Sequence, residues 1–275
     1  MARVVVIGDV GGHPDHLVAG LAHVGARDGT LPDDVVVVQV GDLVDRGPDS
    51  ALVLAIVDGF MRRHPGQWIQ LVGNHESQYL PGGTRFWPEE LSPIDARLLR
   101  SWWEDGLMTV AAALRTADGD EMLVTHAGLT VECWRELGEP MTAASAVWLL
   151  NELHEKPDLL FRGNNGAVDR GAGPLWAEAG WELHEPWLEY YAAGGFVPFG
   201  QVHGHSTIVR FADQTYRCPG RVRQRATVDW EARHVRVRVG GRMFTGVDPK
   251  HGRTGATSWR PLILEDASVL TPSGS

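Results

Sequence analysis

Over the first half of the chain, short and nearly continuous apolar runs alternate with amphipathic ones. The runs at 3–7 (RVVVI), 35–40 (VVVVQV), 68–72 (WIQLV) and 121–125 (EMLVT) are mostly β-branched and too short for helices. That combination predicts strands covered on both faces, as in the sheets of α/β proteins. Residues 14–24, 50–63 and 93–104 carry helical spacing; Ser50 and Ser92 stand at cap positions, and Pro93 at the first helical one. From 141 to 194 the pattern is helical and loop-like, with a polar, Gly-rich stretch at 162–173. After 196 it turns to β, with strands expected at 196–202, 221–229, 234–240 and 261–265 between Gly, Asp and Pro punctuation. No repeat or linker divides the chain, so residues 1–267 are expected to form one domain and 268–275 a frayed tail.

Composition narrows the class. Apolar residues make up 43% of the 275 positions, with eleven tryptophans, enough for a substantial core. The two cysteines, Cys133 and Cys218, show neither CxxC nor Cys/His spacing, against a disulfide framework or a structural zinc site. No apolar run approaches the ~18 residues of a membrane span, and no charged-then-apolar leader precedes the first strand. A cytoplasmic protein without membrane contact is the expectation. The formal charge of −10 is uneven: residues 207–260 hold 12 of the 25 Lys and Arg and four acids, a net of +8, which leaves −18 elsewhere. Within that basic segment RVRQR (221–225) and HVRVRVGGR (234–242) alternate strictly. Joined as a hairpin through DWEA, they would set Arg221, Arg223 and Arg225 near Arg236 and Arg238. Such a ladder repels itself unless it meets the acidic remainder of the chain or an anionic partner.

Polar groups follow one strand after another. Asp9 follows the first; Asp42, Asp45 and Arg46 follow the second within GDLVDRGPDS; Asn74, His75 and Glu76 follow the third within GNHES. His126 opens HAGL after the fourth, and His203 and His205 close the strand near 200 in VHGHS. Ligands of open α/β sheets bind at the carboxyl ends of strands, so these groups should converge at one edge. Carboxylate and amide oxygens mixed with imidazoles suit manganese, iron or zinc better than calcium or a thiolate-bound metal.

GDLVDRG, followed about thirty residues later by GNHE and then by HAGL and GHS, resembles the calcineurin-like metallophosphoesterases, specifically the bacterial branch of the phosphoprotein phosphatases. The resemblance spans about residues 3–265. It implies an α/β sandwich of two mixed β-sheets flanked by helices, with a two-metal centre at the carboxyl ends of the strands and manganese as the expected metal. It also implies roles: Asp9 on the first metal, Asp42 bridging both, and Asn74, His126 and His205 on the second. Arg46 would offer a planar fork to phosphate. His75 would be the general acid, oriented by Asp45, with Glu76 supporting its loop. Two such cations acidify a water between them for in-line attack on phosphorus.

Two departures stand out. The family has a histidine two residues after the first Asp, where this chain has Gly11. Leu17 keeps the downstream register, so Gly11 is a substitution rather than a displaced position. His13, if the glycines let the loop fold back, His203, as an i, i+2 partner of His205, or a water could fill the gap. The family also places a second phosphate-binding arginine near GPLWAEAG, where Glu178 stands here; Arg170 and Arg162 are the candidate substitutes. Trp87, Trp102 and Trp103 follow GNHE and could roof a cleft, although Trp most often belongs to a core. The expected activity is phosphomonoester hydrolysis, on phosphoserine or phosphothreonine proteins. A dinucleoside polyphosphate hydrolase and a catalytically weak phospho-ligand binder are the alternatives.

Overall fold

A computed structural model describes residues 2–163, 166–251 and 258–274. Its strands are β1 Arg3–Ile7, β2 Val35–Gln39, β3 Trp68–Leu71, β4 Met108–Thr109, β5 Ala111–Arg115, β6 Glu121–Thr125, β7 Gly200–His203, β8 Val209–Arg210, β9 Thr215–Tyr216, β10 Ala226–Asp229, β11 His234–Val239, β12 Arg242–Gly246, β13 Leu262–Glu265 and β14 Ser268–Leu270. One sheet runs β13-β1-β2-β3-β4, parallel except for β13. The other runs β10-β11-β12-β7-β6-β5-β14, with β12, β7 and β6 parallel and the rest antiparallel. The helices are α1 Pro14–His23, α2 Ser50–Arg63, α3 Asn74–Ser77, α4 Pro93–Glu104, α5 Val131–Glu136, α6 Ala143–Asn151, α7 Pro157–Leu160, α8 Glu185–Ala192 and α9 Gly220–Arg223. None of the described helices is long and apolar enough to cross a membrane.

The unbroken apolar runs have the predicted cause. Val4 and Val6 of β1, with Val38, meet Val124 and Val202 in the core between the sheets. Val5, Ile7, Val35 and Val37 face the helix side, against Leu17, Leu21, Val53 and Leu54. Both faces are buried, so a period-two polar face has nowhere to form.

The structure corrects several sequence expectations. Asp49, not Ser50, caps α2, accepting from Leu52 N at 2.8 Å, while Ser50 Oγ accepts from Asp45 N at 2.9 Å. The segment from Ser268 is not frayed at its start: β14 pairs with β5, so β13 and β14 tie one stretch of chain into both sheets. RVRQR is not a strand. Residues 220–223 form the single turn α9 with Val222 buried, and the strand begins at Ala226. The hairpin through DWEA does form, with Asp229 opposite His234, but the arginine ladder does not. Arg223 lies 5.0 Å over the Tyr216 ring, Arg221 approaches Glu185 at 3.8 Å, and only Arg236 and Arg238 remain on β11.

Candidate metal centre

The loop after β1 is clasped to the loop after β2 by backbone hydrogen bonds. Val10 N and Gly11 N both donate to Asp42 O (2.9 and 2.7 Å), and Gly12 N donates to Leu43 O (2.7 Å). In return Gly47 N donates to Gly11 O (2.8 Å) and Asp49 N to Gly12 O (3.0 Å). The fit requires glycine at 12, where φ is +69° and a Cβ would lie 2.6 Å from Asp45 O. Gly11 is left-handed too, at φ +53°, so positions 9 and 11 do not share a face as they would on a strand. A third loop is bolted on by Glu76. Its Oε2 accepts from Asp42 N (2.7 Å) and Gly73 N (2.9 Å), and its Oε1 from Leu43 N (2.8 Å). Burial and then the Asp42 charge push this carboxyl up to about 7, against the pull of those N–H groups. Glu76 supports its loop as expected.

Four donors meet inside this frame. Asn74 Oδ1 lies 2.9 Å from both His126 Nε2 and His205 Nδ1, and Asp42 Oδ1 is 3.4 Å from His126 Nε2. His126 Nδ1 donates to Val40 O at 2.9 Å, which fixes the tautomer and turns the Nε2 lone pair toward Asn74. Burial lowers the pKa of both imidazoles, which favours their neutral, metal-binding form. The His126 Nε2 lone pair aimed at the Asn74 oxygen is repelled unless a cation sits between them. Asp42 Oδ2, buried and without a hydrogen-bond partner, makes the same demand. Burial alone would raise the Asp42 pKa, yet the charges of His75 and Arg46 hold it well below the usual carboxylate range. Donor atoms of Asp42, His126 and His205 all lie within 4.8 Å of one another. Oxygen and imidazole donors so arranged fit a divalent transition metal, held by Asp42, Asn74, His126 and His205. Asp9 is tied beside them through His205 N, which donates to its two oxygens (3.0 and 3.2 Å).

The His75 side chain, expected as the general acid, stands alongside. His75 Nδ1 is 2.6 Å from Asp45 Oδ2, and its Nε2 is 2.9 Å from Arg46 Nη2. Gln78 Nε2 donates to the same Asp45 oxygen at 2.9 Å, pinning the carboxylate. Burial would lower the His75 pKa; the Asp42 charge and the Asp45 bond outweigh it and raise it. Arg46 is 3.7 Å from Asp42 Oδ2, and its own pKa is raised against burial by Asp42 and Asp9. These groups open onto a cleft of about 500 Å³ whose lining includes Phe86, Trp87, Trp176, Glu178 and Lys250. Trp102 is core, donating to Asp58 at 3.0 Å, and Trp103 is half-buried; Trp87 alone of the three reaches the site, 4.9 Å from His75.

The remaining candidates lie elsewhere. His13 stacks on His16 (4.9 Å) and lies 5.4 Å from His251, outside the donors that converge with Asp42. His203 faces the helix layer, 5.4 Å from His184, because β7 ends there and Val202 takes the inner face. The i, i+2 relation to His205 fails because His205 has φ +63°. Arg170 pairs with Glu189 at 2.6 Å on the surface, and Arg162 with Glu136 at 2.9 Å; neither lines the cleft. Glu178 caps the next helical turn, accepting from Gly180 N and Trp181 N (2.8 and 2.7 Å). Sequence reasoning missed Lys250, Gln78 and buried Asp248, whose placement depends on long-range packing rather than on a motif.

Two solved structures and one family model resemble this chain. A cold-active protein-tyrosine phosphatase from a psychrophilic Shewanella superposes with a TM-score of 0.55 at 20% identity, over 97% of this chain and 76% of its own. A metallophosphoesterase from Sphaerobacter thermophilus aligns at 15% identity over 98% of this chain and 88% of its own, with a TM-score of 0.43. Residues 2–210 match the family model of the calcineurin-like phosphoesterases. The chain therefore belongs to the calcineurin-like phosphoesterases, and it is a metal-dependent phosphatase.

Proposed function

We propose that the protein hydrolyses alkyl phosphomonoesters, in particular phosphoserine and phosphothreonine in proteins. The observation that carries this reading is the buried Asp45–His75 pair at the cleft. An alkoxide leaving group needs a proton as the P–O bond breaks, and a positioned general acid contributes ~10²–10⁴-fold. A phenolate needs far less. When bound, manganese or a similar pair of cations supplies an acidified water and neutralises charge on the phosphoryl oxygens. The chain's own residues do the rest. Asp9 and Asp42 hold the first cation, and Asp42, Asn74, His126 and His205 the second. Substrate phosphate takes the Arg46 fork, which frees His75 Nε2 to carry the proton that it delivers to the leaving oxygen. Lys250, lining the same cleft, provides the second positive charge sought at Arg170 or Arg162.

Phe86, Trp87 and Trp176 favour a second reading, in which a planar leaving group such as a nucleoside polyphosphate stacks in the cleft. The test is a substrate panel with added Mn²⁺: phosphoserine and phosphothreonine peptides, an aryl phosphate and diadenosine tetraphosphate. Faster turnover of the peptides supports the first reading. Nucleotide products released in preference to peptide phosphate would replace it with the second. No turnover of any of them would leave a phospho-ligand binder.

A further inference from the structure

We infer that Gln78 is a positioning residue for proton delivery, because its side-chain amide holds both supports of the His75 ring. The inference rests on the general-acid reading of His75 above and adds a residue that no motif carries, since Gln78 lies beyond GNHE. Gln78 closes the single turn α3, its backbone N–H donating to Glu76 O, and the residue is buried. Its Nε2 donates to Asp45 Oδ2 at 2.9 Å and to His75 O at 3.1 Å. Its Oε1 accepts from Trp87 N at 3.3 Å. These partners fix which way the amide faces: two acceptors meet its NH₂ group, and one donor meets its oxygen. Gln78 does not line the cleft, so whatever it does for the reaction it does through its neighbours.

The His75 imidazole is held from two sides, and Gln78 reaches both. On one side Asp45 Oδ2 lies 2.6 Å from Nδ1. On the other, Phe86 and Trp87 stand edge-on, with ring centroids 5.0 and 4.9 Å away. Asp45 needs a brace, because it sits on a left-handed turn at φ +69° and one of its oxygens serves both His75 and Gln78. The terminal torsion of an Asp is broad and two-fold, so a carboxylate that loses the Gln78 N–H can swing away from Nδ1. Trp87 needs one too: residues 83–92 form neither helix nor strand, and the bond to Gln78 Oε1 ties them to α3. Arg46 Nη2 is the remaining neighbour, 2.9 Å from Nε2. In the proposed reaction that guanidinium turns to phosphate, which leaves Asp45 and the aromatic edges to aim the ring. A reacting group misplaced by about 1 Å can lose about 100-fold in rate.

The experiment compares leaving groups in two variants. Gln78→Met keeps the length of the side chain and removes all three hydrogen bonds. Gln78→Asn, one methylene shorter, cannot span Asp45 and Trp87 together and takes its place if the first does not fold. With Mn²⁺ supplied, either should slow a phosphoserine peptide about 10–100-fold, mainly in kcat, and an aryl phosphate less than about threefold. In a His75→Asn background the same substitution should cost nothing further on the peptide, because it acts through the ring it positions. Proton NMR with diamagnetic Mg²⁺ supplied gives a readout apart from turnover. The His75 Nδ1–H signal, identified by its loss in His75→Asn, should broaden or vanish in the Gln78 variant. A role confined to folding would lower stability and leave both the signal and the leaving-group dependence as in wild type. Equal losses on peptide and aryl phosphate, losses that add to those of His75→Asn, or an unchanged Nδ1–H signal would overturn the role of Gln78. Equal losses on the two substrates from His75→Asn itself would instead overturn the general-acid reading.

Discussion

The clasp between the first two loops can be tested with two adjacent alanines. Gly11 and Gly12 both have positive φ (+53° and +69°), so alanine at either place carries the left-handed cost of about 1–2 kcal/mol. There the two sites part. A Cβ at Gly11 meets nothing nearer than Arg46 Cδ at 3.7 Å, an ordinary contact. A Cβ at Gly12 would lie 2.6 Å from Asp45 O and 3.1 Å from Gly47 N, both backbone, so the 45–47 turn must move. That movement strains the bonds from Gly12 N to Leu43 O and from Asp49 N to Gly12 O. Overpacking of this kind adds about 1–3 kcal/mol. At roughly 2–4 °C per kcal/mol for a chain near this size, Gly11→Ala should lower Tm by about 2–8 °C. Gly12→Ala should lower it by about 4–20 °C on the same scale.

Function should separate them further. Asp45 sits on the turn that moves, and its 2.6 Å contact orients His75; a misplacement near 1 Å can cost about 100-fold in rate. Thermal unfolding by circular dichroism and turnover of a phosphoserine peptide with Mn²⁺ are the two measurements. If Gly12→Ala proves no less stable than Gly11→Ala and turns over normally, the clasp does not position the site and the reasoning fails.

Other expected outcomes follow from the same geometry. Asp42→Asn should lower bound metal and reduce turnover by more than about 100-fold, because in the proposed centre one carboxylate would serve both sites; metal analysis showing two ions and normal turnover would contradict this. His75→Asn should slow phosphoserine hydrolysis by ~10²–10⁴-fold and an aryl phosphate much less, with metal content unchanged. Equal losses on both substrates would remove the general-acid role. Burial holds His203 neutral in the fold, its pKa lowered from 6.5 to about 4. The unfolded chain therefore takes up the extra proton, and stability should fall as pH drops from about 6.5 to about 4, by up to about 3 kcal/mol from this group. His203→Phe should flatten that slope in denaturant titrations, and an equal slope in both proteins would count against it.

What was legible in the sequence was whatever local order decides. The β-branched runs at 3–7 and 35–40 became strands because both faces are buried, and the polar groups after them met because parallel strands end at one edge. Motif spacing carried Asp42, Asn74, His126 and His205 to one point. Reading failed where tertiary contact overrides local pattern. In RVRQR one apolar residue, Val222, decides the outcome by burying its side chain from a helical turn. Five alternating residues with a single apolar position define no buried face. Residues 111–115 (AAALR) carry almost no intrinsic β preference, and the pairing with β6 and β14 makes them a strand. Asp248 and Lys250 had no local signal, since their partners are set by the packing of β12 beside β7.

The residues of the candidate site also carry the strain. Asp42, Asp45, Arg46 and His205 all have φ between +54° and +69°, a region costing of order 1 kcal/mol or more for each residue with a side chain. Glycine would relieve that cost at any of the four, but it would remove the carboxylate, guanidinium or imidazole that the site uses. Glycine is kept where no side chain is needed, at 11, 12, 41 and 47, and those positions let the strained residues hold their place. Gly41 and Gly47 illustrate the point: a Cβ on either would lie 2.4 Å from the neighbouring loop's backbone. Gly11 therefore has a structural use beside the histidine it displaces. Its N–H and carbonyl join the clasp that presents Asp42.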